Sequence, residues 1–293
     1  MRILPLGENG QVGWELLRTL APLGEVVAMG RAEADLSRPE QLRSVVRNVH
    51  PRVIVNAAAY TDVDRAESEP ELAMAVNGNA PGILAEEAER NGAGLVHYST
   101  DYVFDGEKRE PYVETDLPNP INVYGRTKWA GEEAIRAVGG AYLILRTSWV
   151  YSLRGGGFVT RVLRLAREKD ELRVVEDQVG SPTWARMLAE VTAHVIARGH
   201  GYLDDRGGTY HLAGRGSASR LQWAKAILKV DPRRMEQVVK HVGPAGAQEF
   251  PSIARRPCFS ALDSGCFEAA FGLGLPGWEA SLGLAMADPS ASV

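Results

Sequence analysis

The sequence predicts an α/β protein: a doubly wound parallel sheet, followed by a second, smaller mixed α/β domain. Three observations predict it. Short apolar runs alternate with longer amphipathic stretches through the first half, as repeated strand-helix units require. A spaced set of glycines follows the first apolar run directly. At 293 residues the chain exceeds the usual single-domain length, so one large unit and one smaller unit are expected.

The expected strands of the first half are 2–6, 26–29, 53–56, 95–99 and 142–146, each apolar enough to be buried on both faces. Between them, 12–20, 39–49, 71–90 and 124–138 are rich in Ala, Leu, Glu and Arg and read as helices. Pro5 is a local contradiction, because a proline removes a ladder hydrogen bond from a strand that should be central. A bend or a skipped bond is expected there. After Trp149 the rhythm loosens: Gly155-Gly156-Gly157 makes a connection, a helix-like stretch follows, and 172–175 reads as a strand. Farther on, 209–213 reads as a strand, 220–228 as a helix and 243–257 as a long Gly/Pro-rich loop. The expected division is residues 1–150 and residues 151–293, discontinuous if a later strand returns to the first sheet.

Composition narrows the function. The net charge of −4 and scattered basic residues, paired only at Arg233-Arg234 and Arg255-Arg256, give no footprint for nucleic acid. No run approaches the roughly 18 apolar residues that span a bilayer, and the N-terminus lacks a signal-peptide core. Cys258 and Cys266 are too few for a disulfide framework, so a reducing cytoplasm is expected. Disorder is expected only in the last few residues. No histidine falls at ligand spacing with other His, Cys or acidic residues, so no metal site is expected, and His97 reads as a packed strand residue.

Gly7, Gly10 and Gly13 form a Gly-x-x-Gly-x-x-Gly between the first strand and first helix. Glycine there permits a tight turn and close approach to a pyrophosphate, whose charge the helix N-terminus favours. This is the dinucleotide-binding feature of a Rossmann sheet. Gly30 and Arg31 stand where an acidic residue would receive the ribose hydroxyls of NAD, so Arg31 suits a 2′-phosphate and NADPH is preferred over NADH. Asp35 and Leu36 follow where an adenine would border the chain. Ala57, Ala58 and Ala59 end the third strand with side chains small enough to let backbone approach an extended ligand.

Tyr124 and Lys128, four apart at the head of a helix, share one face. An ammonium beside a phenol lowers the phenol's pKa and eases proton transfer. Alone the spacing is common. Here it follows Ser99-Thr100-Asp101-Tyr102 at a strand end, where Thr100 adds a hydroxyl that can donate to a carbonyl oxygen.

These motifs, with 145–151 (LRTSWVY), 177–183 (DQVGSPT) and 256–263 (RPCFSALD), resemble the dTDP-4-dehydrorhamnose reductases, extended short-chain reductases, over nearly the whole chain. The resemblance implies cofactor contacts near Gly10, Gln11, Val12, Asp35, Leu36, Ala59, Tyr60, Thr61, Tyr98 and Lys128. It implies sugar-nucleotide contacts from Thr100, Asp101, Tyr124 and Trp149, whose apolar ring can pack on a deoxysugar. Tyr102 stands beside Asp101 where sugar-nucleotide dehydratases carry an acid, so dehydration is disfavoured. No cysteine lies near Thr100, so epimerisation by a cysteine-histidine pair is disfavoured too. Arg256 is a candidate for the diphosphate. Some relatives hold magnesium at a dimer contact, but here Glu15 would face Arg186 where a second acid is needed, so the metal is doubtful. The expected reaction is NADPH-dependent reduction of a keto group on a dTDP-linked deoxysugar, with Tyr124, Lys128 and Thr100 catalytic. A second copy of the chain is the macromolecular partner considered. Two alternatives stay open: a reductase of another nucleotide-linked keto sugar, and a noncatalytic regulatory subunit of the methionine adenosyltransferase type.

Overall fold

The structure is a computed structural model describing residues 1–287; the disorder expected of the last few residues falls outside them. Its first half runs β1 (Arg2–Leu6), α1 (Gln11–Leu20), β2 (Glu25–Val26), α2 (Pro39–Val49), β3 (Val53–Asn56), α3 (Val63–Ser68), α4 (Pro70–Met74), α5 (Ala80–Asn91), β4 (Gly94–Thr100), α6 (Val123–Val138) and β5 (Tyr142–Thr147). The remainder runs β6 (Val150–Tyr151), α7 (Phe158–Glu168), β7 (Glu171–Val175), β8 (Val179–Gly180), β9 (Thr183–Trp184), α8 (Ala185–Ala197), α9 (His200–Asp205), β10 (Gly208–His211), β11 (Ala218–Ser219), α10 (Arg220–Lys229), β12 (His241–Ala245), α11 (Gly265–Phe271) and α12 (Trp278–Met286).

Six parallel strands form the main sheet in the order β10-β5-β4-β3-β1-β2. The alternation of side chains splits its core in two. Ile3, Val53, Val55, Val96, Leu143 and Leu145 pack on one face with Leu16 and Leu20 of α1 and Leu188 of α8. Leu4, Leu6, Ile54, Leu95 and Ile144 pack on the other with Leu42 and Val46 of α2, Leu84 of α5 and Ile135 of α6. Burial on both faces is why these strands read as continuous apolar runs. Although β10 comes late in the chain, it joins the sheet beside β5, Gly208 opposite Leu143. Outside the sheet, β7 and β12 pair in parallel, and Trp223 of α10 is buried among Tyr151, Val159 and Trp184. Among the described residues no helix is long and apolar enough to cross a membrane.

The expected strand at 26–29 shortens to Glu25–Val26, rejoined only by a bridge between Leu6 and Met29. Pro5 is the reason. Its carbonyl accepts from Met29 N–H at 3.1 Å, so its missing N–H lies on the β2 side. The bond is therefore lost to the edge strand, while β1 keeps unbroken register with β3 from Ile3 to Leu6.

The expected helix over 71–90 is broken: between α4 and α5 lies a π turn, Ala75–Asn79. Pro81 has no N–H to give the carbonyl of Asn77, four residues back, so the helical register slips there. The loop expected from 243 onward instead starts inside β12. Ala245 accepts from Glu176 N–H, so the nitrogen of Pro244 points away from β7 and the proline removes no ladder bond.

Candidate functional site

The carboxyl ends of β1, β3, β4 and β5 open onto one cavity of about 860 Å³. This is where an open parallel sheet takes its ligands. At the end of β1 the chain turns at Gly7, φ +85°, where a Cβ would lie 2.8 Å from Ala58 N. Gly10 precedes α1, and no side chain caps that helix. Its first N–H groups are thus left for a ligand oxygen. Gly13 plays a different part: it does not line the cavity, and its Cβ would meet the Gly7 carbonyl oxygen at 2.0 Å, so its absence of side chain lets α1 pack on the turn. A tight turn, an uncapped helix and backbone-width clearance together fit a dinucleotide pyrophosphate.

Gln11, Val12, Gly30, Arg31, Asp35, Leu36, Ala57, Ala58, Ala59, Tyr60 and Thr61 line the same cavity. Arg31 is exposed and stands 3.7 Å from Asp35, whose carboxylate also accepts from Ser37 N–H and Oγ. Burial raises the Asp35 pKa, but Ser37 and the nearby arginines outweigh it and hold the carboxyl below its ordinary value. Tyr60 is pinned through its backbone: Asn77, in the π turn, accepts its N–H at 2.8 Å and donates to its carbonyl at 3.0 Å.

Tyr124 and Lys128 sit on α6, whose start is set by Asn122; its side chain accepts from Gly125 N–H at 2.7 Å. A Cβ on Gly125 would meet the Tyr102 carbonyl oxygen at 2.1 Å, so glycine there brings α6 against the β4 end. Thr100 donates to Asp101 at 3.1 Å, and the Asp101 carboxyl also receives Ser148 at 2.8 Å and Ser260 at 2.5 Å. Burial pushes the Asp101 pKa up against those three hydroxyls.

Tyr124 and Lys128 both line the cavity. Burial pushes the phenol far above its ordinary value, against the hydrogen bond of Thr100. Lys128 Nζ donates to the Tyr98 carbonyl at 2.6 Å and lies 3.2 Å from His97 Nε2. Burial also lowers Lys128 to about 8. Tyr98 lines the cavity but sends its hydroxyl to Thr192 of α8, 2.6 Å away.

Trp149 adopts φ +43°, and Gly180 makes room for its ring, since a Cβ there would come within 2.4 Å of it. The Arg256 guanidinium stands behind the lining, held by Asp64 at 2.7 Å and by Ser252 and hydrogen-bonded to Tyr102, which does line the cavity. Arg220 also lines the cavity, its guanidinium centred 3.5 Å from the middle of the Trp149 ring. Sequence reasoning missed it. The Ser219/Gln222 capping box marks the start of α10, but only tertiary packing turns Arg220 toward Trp149. Glu15 is held by Arg18 and by Arg186, 3.2 Å away, and among the described residues no cluster of His, Cys, Asp and Glu could hold a metal.

The chain matches the family model described as the RmlD substrate binding domain over residues 1–290. A dTDP-4-dehydrorhamnose reductase of Burkholderia thailandensis is 46% identical over 296 residues, spanning 98% of this chain and 99% of that protein. The crystal structure of a dTDP-4-dehydrorhamnose reductase from Clostridium acetobutylicum superposes with a TM-score of 0.90 at 36% identity, over 98% of each chain. That of a Bacillus anthracis dTDP-4-dehydrorhamnose reductase in complex with NADP superposes with a TM-score of 0.87 at 36% identity, over 96% of each. With its parallel sheet, glycine turn and Thr100, Tyr124 and Lys128 on one cavity, the chain belongs to the dTDP-4-dehydrorhamnose reductase family of oxidoreductases.

Proposed function

We propose that this protein uses NADPH to reduce the C4 keto group of dTDP-4-dehydrorhamnose to dTDP-L-rhamnose. The observation that carries the reading is that Thr100, Tyr124, Lys128 and Trp149 line the same cavity as the glycine turn. Residues 1–150 hold the dinucleotide in this reading, and residues 151–293 mainly the sugar nucleotide. A bound nicotinamide supplies the hydride. Tyr124 gives the proton to the sugar oxygen, Thr100 hydrogen-bonds that oxygen, and Lys128 orients the cofactor ribose. Trp149 offers a flat apolar face to the deoxysugar, with Asp101 and Tyr102 beside it. Arg220, in the lining beside Trp149, meets the diphosphate in this reading, with Arg256 behind Tyr102. The reaction asks for no Lewis acid, and Glu15 is already paired with two arginines.

Oxidation of NADPH, followed at its near-ultraviolet absorbance with a small panel of dTDP- and UDP-linked 4-keto sugars, tests the proposal. Turnover is expected with the dTDP-linked 4-keto-6-deoxysugar. A better UDP-linked substrate would reassign the sugar nucleotide, and no turnover with any of them would favour a noncatalytic role. Arg31 carries the cofactor choice. Arg31→Ala is expected to lower the NADPH-to-NADH ratio of kcat/KM by roughly tenfold or more, the worth of one charge-assisted hydrogen bond. An unchanged ratio would show that Arg31 does not read the 2′-phosphate.

A further inference from the structure

One cation of the cavity wall has no part in the reaction described above. Among the described residues four line it: Arg31, Lys128, Arg154 and Arg220. Arg31 stands by Asp35, Lys128 Nζ is bonded to the Tyr98 carbonyl, and Arg220 lies on Trp149. Arg154 belongs to the connection after β6, which meets the cavity at Ser152, Arg154, Gly155 and Gly156. Its side chain is exposed, yet its backbone is fixed. The buried Ser152 hydroxyl accepts from Arg154 N–H at 2.9 Å and donates to its carbonyl at 3.1 Å. Beyond it nothing crowds Gly155, Gly156 or Gly157.

The Arg154 guanidinium lies over the ring of Trp14, 3.2 Å from its centre. At that distance only a face-to-face stack fits, because an edge-on guanidinium would drive a nitrogen into the ring. Stacking uses the face of the group and leaves its in-plane N–H donors free. Among the described residues no carboxylate pairs with them. Trp14 is 43% exposed and sits on α1 one turn past Gly10, to whose carbonyl its N–H donates at 3.0 Å. Four apart, Gly10 and Trp14 share a face of the helix, and both line the cavity. The stack thus brings a cation from the second half of the chain to the glycine turn and the uncapped start of α1.

We propose that Arg154 is a further cofactor-binding residue, held on Trp14 so that its free N–H donors meet the pyrophosphate of the dinucleotide. The glycine turn and the first N–H groups of α1 offer backbone donors there, but a helix end supplies only about half a charge. Arg154 adds the full one. The carboxylates on the neighbouring elements do not compete for it: Glu15 is held by Arg18 and Arg186, and Asp35 by Ser37 and Arg31. The inference rests on the proposed function only in taking the glycine turn as the dinucleotide site.

Dissociation constants of NADPH, NADH and dTDP, each titrated alone by calorimetry, test it without turnover. Arg154→Ala is expected to raise both dinucleotide constants by roughly tenfold or more, the worth of a charge-assisted hydrogen bond, because the pyrophosphate is common to the two. The dTDP constant should stay as it was. Arg154→Lys keeps the charge without the flat stack and should recover only part of the loss. Trp14→Ala should weaken both dinucleotides, and Trp14→Phe, which keeps an aromatic face, should weaken them less. Arg154 is exposed, so the ligand-free melting temperature of Arg154→Ala should stay close to that of the wild type. A loss confined to NADPH would put Arg154 on the 2′-phosphate, and a loss confined to dTDP would put it on the sugar nucleotide. Unchanged constants would leave it a surface clamp, and any of these three results overturns the proposal. A wild type that binds neither dinucleotide overturns the proposed function as well, so the two failures are seen apart.

Discussion

Tyr124→Phe is expected to lower kcat by roughly 10²–10⁴, the usual worth of a positioned acid, while folding and NADPH binding persist. The substitution removes one oxygen and keeps the ring, whose edge-on contact with Tyr102 at 5.8 Å between centroids is preserved. The neutral phenol that burial enforces suits the direction of the reaction, because reduction of a ketone needs a donor that still holds its proton. Circular dichroism, a cofactor titration and steady-state kinetics with the 4-keto substrate together make the test. A variant keeping more than about a tenth of the wild-type kcat would mean that another group protonates the sugar oxygen.

The largest effect on stability is expected at Glu132, which is not a cavity residue. Its carboxylate is wholly buried and accepts from Arg146 Nε at 3.0 Å, Arg146 Nη2 at 2.7 Å, Arg136 at 2.7 Å and Ser99 at 2.5 Å. Arg146 is itself only 2% exposed, between the rings of Phe104 and Trp129. Glu132→Ala leaves that guanidinium buried without its counter-charge, a loss of about 3–5 kcal/mol. Urea denaturation checks it as a fall in the midpoint at unchanged slope. Adding Arg146→Leu should restore part of the loss, because the unpaired charge then disappears. If the double variant is no more stable than the single one, the penalty does not come from the stranded arginine.

Local chemistry made some elements legible in the sequence. The bounds of α2 follow from Pro39 at its first turn and the apolar spacing of Leu42, Val46 and Val49. Tyr124 and Lys128 could be placed on one face because the helical repeat puts residues four apart together. What the sequence hid depends on neighbours far along the chain. Arg220 and Arg256 look alike as letters, and only tertiary packing sets Arg220 in the cavity lining against Trp149 and ties Arg256 to Asp64 and Tyr102. His97 was read as a packed strand residue. Its two ring contacts come from Asn56, 41 positions earlier, and Lys128, 31 positions later, a pairing no spacing rule signals. The acceptor for Lys128 Nζ is hidden for the same reason, since it is a backbone carbonyl.

The π turn at Ala75–Asn79 carries a consequence for how this cavity tolerates change. One residue more or fewer in a helix rotates everything beyond it by about 100°. Deleting a single residue there would bring α4 and α5 into one helical phase, although Pro81 would still leave one carbonyl without its N–H. It would also swing Asn77 off the backbone of Tyr60, which it now clasps on both sides. Along this stretch, helical regularity and the shape of the cavity wall pull in opposite directions, so a sequence optimised for the first would lose the second.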